Sequence, residues 1–245
     1  TKSMSRTKEA MARDIDISLK NLRTDYIDLY QIHYLDGVTP AETVMEALLR
    51  HKRAGKIRAI GLSNVTPEQA RAFAPFADEI ATFQNHYSLA HRDGEKDMRA
   101  IATDLRLTPL TWGSLGQGIL TGKYGADVSF APNDRRSRTI YDTFYGDKLQ
   151  KNLRGVAVMR PIARRHQAPV AAVAVRWILD HLPGLQRNSQ RRLAEKLRLI
   201  AADRIVVRGL ALRQPALQLL IDKKAHADLL HLRRRKGLLA GIGHA

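Results

Sequence analysis

Asp25-Tyr-Ile-Asp-Leu-Tyr-Gln-Ile-His33 and Ile57-Arg-Ala-Ile-Gly-Leu-Ser63, with Thr39-Pro-Ala-Glu42 opening the stretch between them, decide the architecture. The first segment is rich in β-branched and aromatic residues and is followed by the turn-prone pair Asp36-Gly37, so it reads as a strand. Thr39 is placed as a helix cap, Pro40 at the first helical position and Glu42 in the first turn. That helix runs to about Arg53 and stops at Gly55. The next strand begins two residues later. A strand, a helix and a second strand joined by short connections form a crossover unit with parallel strands. Upstream, Thr7–Lys20 has Met11, Ile15 and Leu19 at every fourth position and reads as a helix. Downstream the alternation continues. Thr66-Pro67-Glu68 starts a helix, Glu79–His86 is strand-like, Gly94–Leu105 is helical and Thr108–Trp112 is a strand. A glycine-rich loop and an irregular stretch lead to two further helices, Leu149–His166 and Val170–His181.

Four strands alternating with helices fit either a doubly wound sheet or a barrel. The strand ends favour the barrel. His33, Ser63-Asn64, Gln84-Asn85 and Trp112 fall at or just after the C-terminal ends of successive strands. Both architectures place ligands at that edge, but in a barrel the ends form a ring on which polar groups from consecutive strands converge.

The composition is that of a globular chain: 245 residues, 44% apolar and 27% charged, with no cysteine. Disulfides, thiolate metal sites and cysteine nucleophiles are excluded. No apolar run of transmembrane length occurs, and Thr1–Asp14 lacks the apolar core of a secretory signal, so a cytoplasmic protein is expected. The net charge of +17 is unevenly spread. Residues 1–184 carry 27 Lys/Arg against 20 Asp/Glu, and residues 185–245 carry 14 against 4, so the last quarter holds +10 of the excess. The composition also changes there. Leu, Arg and Ala fill 33 of those 61 positions, and the last Trp, Tyr or Phe of the chain is Trp177. We therefore read 1–184 as the body and 185–245 as a basic tail, with helical apolar spacing over 189–203 and 215–224.

Each polar strand-end residue has a structural and a chemical reading. His33 is either a strand-end histidine with a satisfied ring or a neutral imidazole that donates to a substrate oxygen. Ser63-Asn64 either precedes a helix capped by Asn64 or Thr66, or offers donors and acceptors to an amide. Gln84 lies within an apolar strand and requires a partner. Trp112 is either core or a flat platform. Gly113-Ser-Leu-Gly-Gln-Gly118 follows a strand but has neither the dinucleotide-binding nor the Walker A spacing. Its backbone N–H groups, with Lys123 nearby, are suited to a diphosphate.

Taken together these segments resemble the aldo/keto reductase family. Tyr26–His33 resembles the family's fourth strand, Gly55–Asn64 its fifth, Phe83-Gln84 with Tyr87 its sixth, and Trp112–Tyr124 the cofactor loop after the seventh. Asp134–Arg138 and Phe144–Leu153 resemble the segment that follows. The blocks occur in family order and spacing. The resemblance implies a (β/α)₈ barrel that binds NADPH and reduces aldehydes or ketones to alcohols. It implies that His33 is the carbonyl-orienting histidine and Lys2, in Thr1-Lys2, the catalytic lysine. It implies that Ser63, Asn64 and Gln84 hold the nicotinamide carboxamide and that Trp112 stacks on the nicotinamide ring. Gly113, Ser114, Leu115, Gly116, Gln117 and Lys123 are then the diphosphate loop.

The sequence departs from the family at both ends. The family's catalytic Asp and Tyr lie upstream of the match to Thr1-Lys2, and no tyrosine here takes that place. The expectation is a partial barrel of about strands four to seven, exposing the fourth and seventh strands as edges, with an impaired reaction. After Gly184 the eighth strand and its phosphate-binding helix are not recognisable, and the expectation is that a shifted reading frame in GC-rich DNA produced the Arg, Ala, Leu and Gly excess. Two other functions compete. Arg191-Arg192, Lys223-Lys224 and Arg233–Lys236 are suited to nucleic acid or an anionic surface, although no aromatic residues interleave them. A hydrolytic barrel would draw on Asp28, Asp36 or Glu46, but these form no metal-ligand cluster.

Overall fold

The structure is a computed structural model and describes residues 2–3, 7–138 and 141–182. The tail 185–245, with its expected helices and basic runs, lies outside these residues. The described chain divides into two compact units: Thr1–Asn85 with Lys96–Thr111, and His86–Glu95 with the chain from Trp112 onward.

Five strands form one sheet in the order β1 (Lys2–Ser3), β2 (Ile27–Ile32), β3 (Ile57–Ser63), β4 (Ile80–His86), β5 (Thr108–Trp112). The first four pair in parallel, with Lys2 opposite Gln31, Ile27 opposite Ile57 and Ser63 opposite Gln84. Every strand lies beside its sequence neighbour. A doubly wound sheet reverses its order at a switch point, whereas a barrel does not. The uninterrupted order is thus that of a (β/α)₈ barrel segment, as the strand ends suggested. One expectation changes: Lys2–Ser3 pairs with β2, so the edge of the described sheet is β1 rather than the Asp25–His33 strand.

The helices follow from their sequences. α1 (Lys8–Leu22) starts at Thr7, whose side chain accepts from the Ala10 N–H, and buries Met11 and Ile15 completely. Each such apolar side chain contributes about 1.5–3 kcal/mol. α3 (Pro67–Arg71) begins with a reciprocal capping box between Thr66 and Gln69. This settles which residue caps: Thr66 does, and Asn64 is left for other work. α2 (Ala41–Arg53) departs from expectation. Its cap position is Pro40, with no side-chain bond. The Asp36 carboxylate instead accepts from the Val38 and Thr39 N–H groups and the Thr39 hydroxyl, ordering the turn one step earlier. The core of the first unit joins Ile27, Tyr30, Ile60, Leu62 and Phe83 of the strands to Met45 and Leu48 of α2.

α4 (Glu95–Asp104) buries Met98 and Ile101. In the second unit, α5 (Gly146–Arg165) and α6 (Val170–His181) pack on each other and on the 3₁₀ turn Gly116–Thr121. Trp177 of α6 is buried between Tyr87 and His181. On the same helix the Arg176 guanidinium grips Asp180 in a two-point ion pair of 2.8 and 3.1 Å. No helix among the described residues is long and apolar enough to cross a membrane.

Candidate active site

In the first unit the C-terminal ends of β2, β3 and β4 are tied together by the candidate residues themselves. Asn64 has φ of +54°, a left-handed conformation that asparagine tolerates better than most side chains. This turns its backbone N–H onto the Gln84 carbonyl at 2.8 Å and its side-chain amide onto the His33 carbonyl at 2.9 Å. Ser63, fully buried, donates its hydroxyl to the same Gln84 carbonyl at 3.0 Å and accepts from the Asn64 amide at 3.2 Å. The structure therefore brings His33, Ser63, Asn64 and Gln84 to one edge. The backbone of Gln84 is the hub, while its half-buried side-chain amide takes no hydrogen-bond partner among the described residues. His33 is half-buried, and its ring lies 4.5 Å from that of Tyr34.

Asn85, placed at the strand end by the sequence but given no role there, fixes this edge. Its side-chain oxygen accepts from the Val65 N–H at 3.0 Å and its amide donates to the Val65 carbonyl at 2.8 Å. The available signal was a second polar residue directly after Gln84 in an apolar strand. Lys2 lies on β1 opposite Gln31 by backbone register. The carboxylates of the hydrolytic reading are occupied elsewhere: Asp28 pairs with Arg58, Glu46 with Lys8, and Asp36 with its own turn. The Lys8 ammonium holds the Glu46 carboxyl below its usual range. No group of residues suited to a metal ion occurs among the described residues.

In the second unit, Trp112 ends β5 and the loop from Gly113 follows. Trp112 is 37% exposed, which removes the reading of a core tryptophan. The loop turns through four left-handed residues, Gly113, Gly116, Gln117 and Gly118. Gly116 is required twice over: its φ is +55°, and a Cβ there would lie 2.9 Å from both the Ala90 Cβ and an Ile119 methyl. The expectation of outward N–H groups is met only in part. Those of Gly116, Gly118 and Leu120 close turns within the loop, onto the carbonyls of Gly113 and Leu115. Gln117 accepts from the Thr143 hydroxyl through its side chain at 3.2 Å, and Lys123 is exposed. Ser114 and Leu115 are half-buried.

Comparison with known proteins agrees with this geometry. The family model described as "Aldo/keto reductase family" matches residues 1–200. The chain is 38% identical over 175 residues to the aldo-keto reductase YhdN of Bacillus subtilis, which covers 71% of this chain and 52% of that protein. It is 36% identical over 185 residues to the protein tas of Escherichia coli, covering 66% and 52%. Among solved structures it superposes on the glycerol dehydrogenase AKR11B4 of Gluconobacter oxydans with a TM-score of 0.66 and 35% identity, covering 73% of this chain and 54% of that one. The family model spanning most of the chain, with these identities, makes this chain a member of the aldo/keto reductase family. The chain spans about half the length of the curated relatives it matches.

Proposed function

We propose that this chain serves an NADPH-dependent oxidoreductase that interconverts an aldehyde or ketone with the corresponding alcohol. The observation that carries the reading is the strand-end cluster of the first unit. The Gln84 side chain has both a donor and an acceptor uncommitted among the described residues, beside Ser63 and Asn64 held rigidly by the Gln84 and His33 carbonyls. A primary carboxamide needs such a mixed donor and acceptor set. The donor set therefore fits the nicotinamide head of the cofactor, which when bound supplies or accepts the hydride.

The chain's own residues then divide the work. Ser63, Asn64 and Gln84 hold the carboxamide and so fix which edge of the ring is presented. Trp112 offers a flat, partly exposed indole to the ring. The loop from Gly113 to Gln117, with Lys123, takes the diphosphate. His33 donates to the substrate oxygen, where negative charge grows during reduction, and a fixed donor at that point stabilises the transition state. Lys2 lowers the pKa of the proton donor. The name of the Gluconobacter neighbour favours a small polyol or its carbonyl form as the substrate class.

In the family the proton-donating tyrosine lies outside the segments matched here, and turnover depends on that donor. Binding is therefore the property to test. NADPH is titrated into the full chain while tryptophan emission is followed, and the titration is repeated with Trp112→Phe. Saturable quenching that the substitution weakens is expected. No quenching at millimolar NADPH refutes the reading.

A further inference from the structure

Three rings lie in one stack in the second unit, and two of them have no role in the reading above. The His86 imidazole lies against the Trp112 indole with centroids 4.0 Å apart and planes 8° from parallel. The His91 imidazole lies 3.8 Å from His86 at 17°. Two rings at that spacing cannot share one face of an imidazole, so His86 is sandwiched between them.

The local backbone is shaped to hold the stack. Ser88 and His91 exchange both backbone hydrogen bonds, at 3.0 and 3.1 Å, closing a tight turn that folds His91 back over His86. The Tyr87 N–H donates to the Trp112 carbonyl at 3.3 Å and ties the two strand ends. Gly113 has φ of +68°, and a Cβ there would lie 2.6 Å from Cδ2 and Nε2 of His86. The imidazole thus fills the volume that any side chain at 113 would need. His86 Nε2 is buried and has no hydrogen-bond partner among the described residues. With that nitrogen unpartnered among the described residues, what the ring presents to its neighbours is its flat face. Burial and the neighbouring His91 hold its pKa down at about 4, with Asp93 and Asp142 opposing, so the ring facing the indole is neutral.

We propose that His86, backed by His91, is a positioning residue for the cofactor platform: it fixes the plane and depth of the Trp112 indole against which the nicotinamide lies. The inference rests on Trp112 being that platform. A ring stacked on the indole at 4.0 Å narrows its rotation about the two side-chain bonds. Less ordering is then left to be done on binding.

The test uses the full chain and reads two quantities: NADPH affinity by calorimetry, and the emission and acrylamide quenching of Trp112 without cofactor, taken as the difference from Trp112→Phe. In His86→Ala, Trp112 emission is expected to shift to the red and quench more readily, and NADPH binding to weaken about threefold to tenfold. His86→Phe keeps a flat ring and is expected to restore both quantities to within about twofold of the wild type. His91→Ala is the milder perturbation, leaves His86 and Trp112 in place, and shifts both in the same direction. In the Trp112→Phe background, His86→Ala is expected to change affinity little, because its effect runs through the indole. Wild-type affinity in His86→Ala, or an equal loss in the Trp112→Phe background, overturns the proposal and leaves the cofactor reading standing. A wild-type chain that binds no NADPH overturns the cofactor reading instead, and the proposal with it.

Discussion

Replacing Asn85 by alanine is expected to loosen the edge that carries the carboxamide-binding residues. The Asn85 side chain makes both hydrogen bonds of the Val65 backbone, at 3.0 and 2.8 Å, and Val65 is buried. The alanine variant leaves one N–H and one carbonyl without their partners. Each unsatisfied buried group costs about 1–3 kcal/mol, and partial access of water to the half-buried Asn85 places the sum near the low end, about 2–3 kcal/mol. For a chain of this size that corresponds to a fall in the thermal midpoint of roughly 5–10 °C. The assay is thermal and urea denaturation followed by circular dichroism. Asn85→Asp supplies an internal check. Its carboxylate keeps the acceptor for the Val65 N–H but sets a negative oxygen against the Val65 carbonyl. The protonated acid can donate there, so its folded-state pKa rises above the unfolded value of about 3.9. Its deficit against the wild type therefore narrows as pH falls from 7 towards 4. An Asn85→Ala midpoint within 1 °C of the wild type refutes the clamp.

Two further outcomes follow from buried charge and from burial of an imidazole. Arg176 and Asp180 have side chains only 2% and 6% exposed, so Asp180→Ala removes a two-point carboxylate partner from a buried guanidinium and is expected to destabilise the chain by up to about 3–5 kcal/mol. The pair Arg176→Met with Asp180→Leu is expected to recover most of that, as read by urea denaturation. His86 has a folded-state pKa of about 4 against the ordinary 6.5. Between those values the unfolded chain binds a proton that the folded chain does not, so His86 contributes stability above pH 6.5 that is lost as pH falls towards 4. The stability–pH curve of His86→Phe should lack that fall, and a parallel pair of curves would contradict the pKa assignment.

The regular elements were legible because their signals are local. Ile57–Ser63, Thr108–Trp112 and Val170–His181 have the expected bounds, and the Thr66 capping box is written in four consecutive residues. The start of α2 was misplaced because the Asp36 turn captures Thr39 before it can act as a cap. β1 spans two residues, too short for any period, and is defined only by its pairing with Gln31 and Ile32. At the site, His33, Ser63, Asn64 and Gln84 were found because each ends or follows a strand. Asn85 and His86 belong to the same strand end but act sideways, on Val65 and on Trp112, through contacts that no periodicity encodes. His91 reaches His86 only because Ser88 and His91 close a turn.

The uninterrupted strand order also bears on how the sheet assembles. Ile27 meets Ile57 and Ile60 meets Ile80, so each strand finds its partner one helix away along the chain. Each loop closed during folding is short and of similar length, and the entropy lost at each step varies only slowly with that length. A sheet wired in this way can grow outward from any adjacent pair, each finished strand serving as the template for the next.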